Sequence, residues 1–162
     1  MAISTPKCTK CEYTEPAMDD MLGFVLHENE EISKSTSNWL TSLEHETHEN
    51  CPHCFAALRQ PIAFKAVPNL LVFEINSRNV KISKTIKFVR GDDTVVLNIR
   101  GLIYYGEFHF TSRIIGSEGN VWYHDRMTTG SSCESEGNIE RFSKKKLQTH
   151  KGKKVVLVYA KV

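Results

Sequence analysis

The sequence predicts an α+β domain, built mostly of antiparallel strands, with a small cysteine-clasped subdomain at its N-terminal end. Three observations predict it. Cys8-Thr-Lys-Cys11 and Cys51-Pro-His-Cys54 are two CxxC pairs bracketing residues 12 to 50. Short runs of branched and aromatic residues, separated by Gly, Pro, Asn and Asp, recur from Asn69 to the C-terminus. Within them, His109 to Ile115 and Asn120 to Asp125 flank Gly116-Ser-Glu-Gly119 as the two arms of a hairpin.

With 162 residues and 40% hydrophobic residues, the chain has material for one core. We divide it into residues 1–66, the cysteine-bearing region, and 67–162, the strand-rich region. No apolar run approaches the ~20 residues of a bilayer span, and Met1 to Lys7 lacks a secretory apolar segment. The expected location is intracellular, cytoplasm or nucleus, with no membrane partner. A net charge of +2 is too small to imply nucleic acid by itself.

Two CxxC pairs in a reducing compartment read as a metal site, because each pair offers two thiolates and two pairs complete a tetrahedral Zn²⁺ shell. The ligands are expected to be Cys8, Cys11, Cys51 and Cys54. His45, His48 and His53 are alternative donors, not needed once four thiolates are present. A closed four-cysteine shell leaves no position for water, so the Zn²⁺ is expected to be structural.

Between the pairs, Met21 to Leu26 reads as a strand. Asn38 to Glu46 reads as a short helix with Ser37 as N-cap, burying Trp39, Leu40 and Leu43. Asn69 to Ile75, after Pro68, reads as a buried strand. Val80, Ile82, Ile86 and Phe88 alternate with polar residues, with Lys84 out of phase, the mark of a half-exposed strand or a twisted pair. After a turn at 91–93, Val95 to Ile99 and Leu102 to Tyr105 read as two strands, with Gly101 and Gly106 marking bends.

Counted outward from the hairpin connection, His109 and Asp125 lie at similar distances, which brings them together. A carboxylate beside the ring is expected to hold Nδ1 and leave Nε2 as a base. The alternative is a packed histidine and a turn aspartate.

In order along the chain, the two CxxC pairs, Val67-Pro-Asn-Leu-Leu-Val-Phe-Glu-Ile75, Leu97-Asn-Ile-Arg-Gly-Leu-Ile-Tyr-Tyr-Gly106, Glu107-Phe-His-Phe-Thr-Ser-Arg113, Val121-Trp-Tyr-His-Asp125 and Val155-Val-Leu-Val-Tyr-Ala-Lys161 resemble the C-terminal portion of a ubiquitin-specific protease domain. The resemblance implies a β-rich palm and zinc-binding fingers within a papain-like cysteine peptidase fold. It implies His109 as general base, Asp125 as its orienter, Trp122 and Tyr123 as packing between them, and ubiquitin or a ubiquitin-like modifier as partner. Phe108-His109-Phe110 stands where the family usually has Gly-His-Tyr, and Asp125 falls one position early, so the resemblance leaves the modifier unspecified.

The family's nucleophilic cysteine lies in a box well before the fingers, and seven residues precede Cys8. Cys133, the fifth cysteine, sits in a polar Ser/Gly-rich stretch and is read as a solvent-loop thiol. The implied function is a thiol-dependent deubiquitinase-type isopeptidase present without its nucleophile box, inactive alone, with an N-terminal Cys-box half as a further partner. Two rivals remain: a non-catalytic binder of ubiquitin or a ubiquitin-like modifier, and a zinc-ribbon nucleic-acid binder drawing on Lys144 to Lys154. Those lysines are not interleaved with aromatics, and we read them as a solvated loop. An apolar patch is expected on the side of the palm that would face a missing half.

Overall fold

The computed structural model describes all residues except 1, 22, 27–34, 40–43, 77–78, 91 and 162. Among the described residues the chain is mostly β, with three short helices and two sheets. The small sheet contains β1 (Ala2–Ser4), β2 (Lys7–Cys8), β3 (Met18–Met21), β5 (Glu44–Asn50) and β6 (Ala57–Phe64), and β6 is its centre. One edge of β6 takes β1, and β2 and β5 pair along its length, all antiparallel.

The large sheet runs β12 (Glu134–Asn138), β11 (Asn120–His124), β10 (His109–Ile115), β9 (Asp93–Gly106), β14 (Lys153–Lys161), β7 (Leu70–Ile75) and β4 (Gly23–Leu26). β8 (Thr85–Arg90) pairs with β9, and β13 (Thr149–His150) with β14. The β4–β7 pair is parallel, and β4 joins the large sheet although it lies between the two CxxC pairs. None of the helices, α1 (Thr36–Trp39), α2 (Arg126–Thr129) or α3 (Lys144–Gln148), is long and apolar enough to cross a membrane.

β9 is the spine. Its first half pairs with β8, its second half with β10, and β14 runs beside it from Asn98 to Tyr105. The two strands expected on either side of Gly101 are therefore one. The irregularity expected at Gly101 is a bulge within that strand: Ile99 pairs with Ala160 and Gly101 with Tyr159, so Arg100 is an extra residue on β9, and the inward face switches from Leu97 and Ile99 to Leu102 and Tyr104. Gly106 does answer to a close approach: a Cβ there would lie 3.2 Å from the Lys153 Cα.

Period-two burial assembles the core. Leu97, Ile99, Leu102 and Tyr104 of β9 point inward with Leu71, Phe73 and Ile75 of β7 and Val155 and Val158 of β14. Val80, Ile82, Ile86 and Phe88 are buried as their alternation predicts, but the strand expected over them forms only from Thr85, as β8; before it, Lys81 makes an isolated parallel bridge with Ser35. Trp39 of α1 closes the core against Phe24, ring centroids 4.4 Å apart, and Phe73, 5.6 Å.

The helix expected over Asn38 to Glu46 is corrected at both described ends. It starts at Thr36, with the Ser35 hydroxyl accepting from the Asn38 N–H at 3.1 Å in place of the expected Ser37 cap. Glu44 to Glu46 are strand, paired with Pro61, Gln60 and Arg59 of β6. Cross-strand hydrogen bonding to β6 overrides a weak local helix preference; Leu40 and Leu43 lie outside the described residues. The lysine run is likewise ordered: it forms α3, capped by the Ser143 hydroxyl, and the β13–β14 hairpin.

Candidate functional site: a histidine–aspartate pair and a cysteine cluster

The β9–β10 hairpin delivers His109. Its two turn residues, Glu107 and Phe108, both have positive φ, 54° and 58°, which defines a type I′ turn made without glycine or asparagine. Gly106 and His109 close the ladder. Phe108 is 96% exposed at the turn's tip, while His109 folds back on the inward side of β10 with Thr111 and Arg113.

Asp125 directly follows β11 and caps α2. Its backbone is extended, its carbonyl accepts from the Thr129 N–H at 2.7 Å and hydroxyl at 2.9 Å, and its Oδ1 accepts from the Met127 N–H at 3.0 Å. The hairpin register pairs Ser112 with His124, so Asp125 stands level with Thr111 and reaches His109 diagonally. The contact is made: His109 Nε2 lies 2.7 Å from Asp125 Oδ1.

The nitrogen differs from the expected one. Asp125 holds Nε2, so that nitrogen carries the proton and Nδ1 is left without one. A diagonal approach from the far strand meets the outer ring nitrogen, whereas the expectation assumed a carboxylate directly opposite. The Asp125 carboxyl is held well below the usual carboxylate range, first by the bond to His109 and then by donors from Tyr123 and Met127, which together overcome burial.

The sequence did not single out what stands behind this pair. The Tyr123 hydroxyl donates to Asp125 Oδ2 at 3.0 Å. Its ring packs on His150, centroids 4.2 Å apart, and His150 Nε2 lies 3.3 Å from Glu136 Oε1. Glu136 in turn grips Arg113, whose Nη2 donates to Oε1 at 3.0 Å and whose Nε donates to Oε2. Arg113 Nη1 also reaches the Tyr104 hydroxyl, 2.8 Å, and the Lys146 carbonyl. The available signal was Arg113 itself, a cation at an inward position between Thr111 and Ile115, which demands a buried partner.

The four expected cysteines converge. Their Sγ atoms all lie within 4.8 Å of one another, with Cys8–Cys54 at 3.4 Å, Cys11–Cys51 at 3.6 Å and Cys11–Cys54 at 3.7 Å. A tetrahedral ion with Zn–S bonds of about 2.3 Å separates its sulfurs by roughly 3.8 Å, so the set suits a structural Zn²⁺.

The knuckle backbone fits as well: the Lys10 and Cys11 N–H groups both donate to Cys8 Sγ at 3.3 Å. Led by the Lys10 N–H, these donors draw the Cys8 thiol down to about 6. Cys11 is pushed up to about 12: the Tyr13 N–H pulls it down, but Cys8, burial, Cys51 and Cys54 outweigh it. Four such thiols ionise together only around a cation. His53 is exposed and turned against Tyr13, ring centroids 4.7 Å apart, outside the cysteine set. The side chains of His45 and His48 lie outside the described residues.

Cys133 is exposed in the loop between α2 and β12. Exposed apolar side chains lie on the face of β9 to β11 opposite to His109, not on the His109 side where a patch facing a missing half was expected: Phe110 is 60% exposed, Ile114 51%, Tyr105 39% and Trp122 37%, with Phe110 and Tyr105 in ring contact.

No protein-family model matches the chain, and no curated protein matches it in sequence. Solved structures do match. The SAGA DUB module Ubp8/Sgf11/Sus1/Sgf73 bound to monoubiquitin aligns with a TM-score of 0.56 and 12% identity, covering 99% of this chain and 39% of that one. The same module bound to ubiquitin aldehyde gives 0.55 and 12%, covering 99% and 40%. The yeast module with an Sgf73 variant gives 0.58 and 12%, again covering 99% and 40%. The chain thus has the fold of part of a deubiquitinase-module protein, spanning about two fifths of that protein's length, and the resemblance to a ubiquitin-specific protease domain holds at the level of fold.

Proposed function

We propose that the chain is the fingers and palm of a thiol-dependent isopeptidase of ubiquitin-specific protease type, acting on ubiquitin or a ubiquitin-like modifier. Residues 1–66 form the fingers region in this reading and 67–162 the palm, with β4 contributed from the first to the sheet of the second. The observation that carries it is the His109–Asp125 pair: a buried carboxylate on Nε2 at 2.7 Å, on a deubiquitinase-module fold. The SAGA modules bind ubiquitin and ubiquitin aldehyde, which supports a modifier as the partner here.

In this reading His109 Nδ1 takes the proton of a cysteine thiol, and the thiolate attacks the isopeptide carbonyl at the modifier's C-terminus. The tetrahedral intermediate collapses, expelling the lysine amine, which leaves with the proton His109 held. Water, activated by the same nitrogen, then hydrolyses the thioester. Asp125 remains ionised throughout. With four cysteines gathered for Zn²⁺ and Cys133 exposed in a loop, the reacting thiol comes from outside these 162 residues, on a Cys-box polypeptide that packs against the palm.

That cysteine inventory also favours the second reading, a module that binds the modifier without cleaving it. Nucleic-acid binding loses support because Lys146 and Lys151 rest on the rings of Phe142 and Tyr123, 3.7 Å and 4.6 Å from the centroids. The test is to titrate the zinc-loaded chain with ubiquitin and its relatives by NMR, then add a Cys-box polypeptide and a modifier carrying a thiol-reactive C-terminus. Saturable binding, with covalent labelling that needs both His109 and the added polypeptide, supports the isopeptidase. Binding with no labelling supports the module, and failure of every modifier to bind overturns both.

A further inference from the structure

We propose that Tyr123 is a positioning residue for the His109–Asp125 pair: its hydroxyl locks the Asp125 carboxylate so that one oxygen stays on His109 Nε2 and Nδ1 stays available. The inference rests on reading that pair as base and orienter.

A carboxylate held only at one oxygen can turn about its Cβ–Cγ bond. Asp125 Oδ1 serves both His109, at 2.7 Å, and the Met127 N–H, at 3.0 Å. Only a donor at Oδ2 fixes the plane of the group, and Tyr123 supplies it at 3.0 Å. Asp125 is 4% exposed, so water is a poor substitute for that donor.

Tyr123 is suited to hold still. Tyr123 and Asp125 are two residues apart on one strand and so point to the same face. The Tyr123 backbone is paired with Arg113 on one side and Glu134 on the other. Its ring is 1% exposed and gripped between His150 and the Lys151 ammonium. The groups facing it are thus Asp125 and Glu134, of negative charge, with His150, Lys151 and the Thr111 hydroxyl. Burial first, then donation to Asp125, raise the phenol's pKa above the ordinary tyrosine range, so it stays protonated and remains a donor at neutral pH. Through His150 and Glu136 the same ring leans on the Arg113 cluster, which ties the pair to the most deeply buried charge of the sheet.

The test uses the whole zinc-loaded chain and needs no catalysis. The His109 Nε2–H proton is followed by NMR for its exchange with water. In the parent it is expected to be visible and slow. In Tyr123→Phe, which keeps the ring, it exchanges about tenfold faster, the effect of losing one hydrogen bond from the lock. With 3-fluorotyrosine at position 123, which restores a hydroxyl, it is slow again.

An unprotected proton in the parent, or equal rates in parent and Tyr123→Phe, overturns the proposal. Should Tyr123→Phe fail to fold, Asp125→Asn supplies the reciprocal measurement: the Tyr123 phenol titration falls towards the ordinary tyrosine range if the bond is made, and staying in place overturns it. None of these outcomes depends on a modifier binding. A failed lock therefore leaves the isopeptidase reading standing, and a failed isopeptidase reading leaves the exchange result standing.

Discussion

Glu136→Gln is the perturbation whose magnitude follows most directly from the geometry. Arg113 has a side chain with no exposed surface, and Glu136 supplies its charge partner through both carboxylate oxygens, itself 17% exposed. The substitution keeps shape and one acceptor but removes the charge. The guanidinium then has only neutral acceptors, the retained amide oxygen, the Tyr104 hydroxyl and the Lys146 carbonyl, beside an amide NH₂ that faces its own donors.

Removing one partner of a buried pair costs about 3–5 kcal/mol. The residual exposure of Glu136 places the expected loss near the lower end, about 3 kcal/mol, a fall in Tm on the order of 6–12 °C for a chain of this size. Urea unfolding and a thermal scan at neutral pH read it directly. The double variant Arg113→Met with Glu136→Leu is expected to recover most of the loss, because apolar isosteres need no desolvated charge.

The pH dependence has a fixed sign. Burial works to raise the Glu136 carboxyl, and the Arg113 bond and charge overcome it, holding it below its usual range. A depressed carboxylate contributes stability above its unfolded pKa and loses it as pH falls through its folded one. The His150 imidazole, pushed down to about 4 by burial first and by the Arg113 charge next, acts the same way. The unfolded chain takes up that proton from about 6.5 downward, so stability declines between there and about 4. Glu136→Gln should therefore remove the part of the acid limb that belongs to the Glu136 carboxyl, below about 4.3, while the His150 part, which the Glu136 charge itself restrains, becomes no shallower. A loss under ~1 kcal/mol, the worth of a surface pair, with an unchanged acid limb, would refute the reasoning.

Chelation of the metal under reducing conditions is expected to release one Zn²⁺ per chain and to collapse the hydrogen-exchange protection of the Cys51 and Phe55 N–H groups, which close the second knuckle at 2.8 Å and 2.9 Å. Acid should release the same ion as thiolates reprotonate, read by a colorimetric zinc indicator. Phe108→Gly removes a bulky residue from a left-handed position that strains an L side chain by ~1–2 kcal/mol. It should raise Tm by about 2–8 °C, measured by calorimetry. Trp39→Ala opens the contact with Phe24 and Phe73 and should cost about 3–5 kcal/mol in urea unfolding.

What the sequence could convey divides along physical lines. The CxxC pairs were readable because metal chemistry demands particular atoms at particular spacing, independent of distant residues. Ile86 and Phe88 of β8 were readable because a strand with one wet face writes its own period, whereas the same alternation at Val80 and Ile82 marked burial without a strand. The β10–β11 hairpin was readable because its register is local. The parallel β4–β7 pair was not, since no local signal says that Gly23 to Leu26 will lie beside Val72 to Ile75. The strand at Glu44 to Glu46 was hidden for the same reason: its stability resides in β6.

The candidate site shows the finer limit. Counting residues from the hairpin turn brought His109 and Asp125 together, but counting cannot choose a ring nitrogen. That choice came from the two-residue offset between Thr111 and His109, which makes the carboxylate approach on the diagonal and take Nε2. The same offset creates the need for Tyr123. A carboxylate directly opposite His109 could divide its two oxygens between the ring and the α2 N-terminus, whereas here one oxygen serves both, and the other must be tied from behind. The position of the aspartate one residue early, which set this chain apart from the family's usual pattern, and the tyrosine two residues before it are thus parts of one geometric solution. Moving Asp125 without Tyr123, or replacing Tyr123 without moving Asp125, should loosen the pair even in a chain whose fold and zinc cluster are intact.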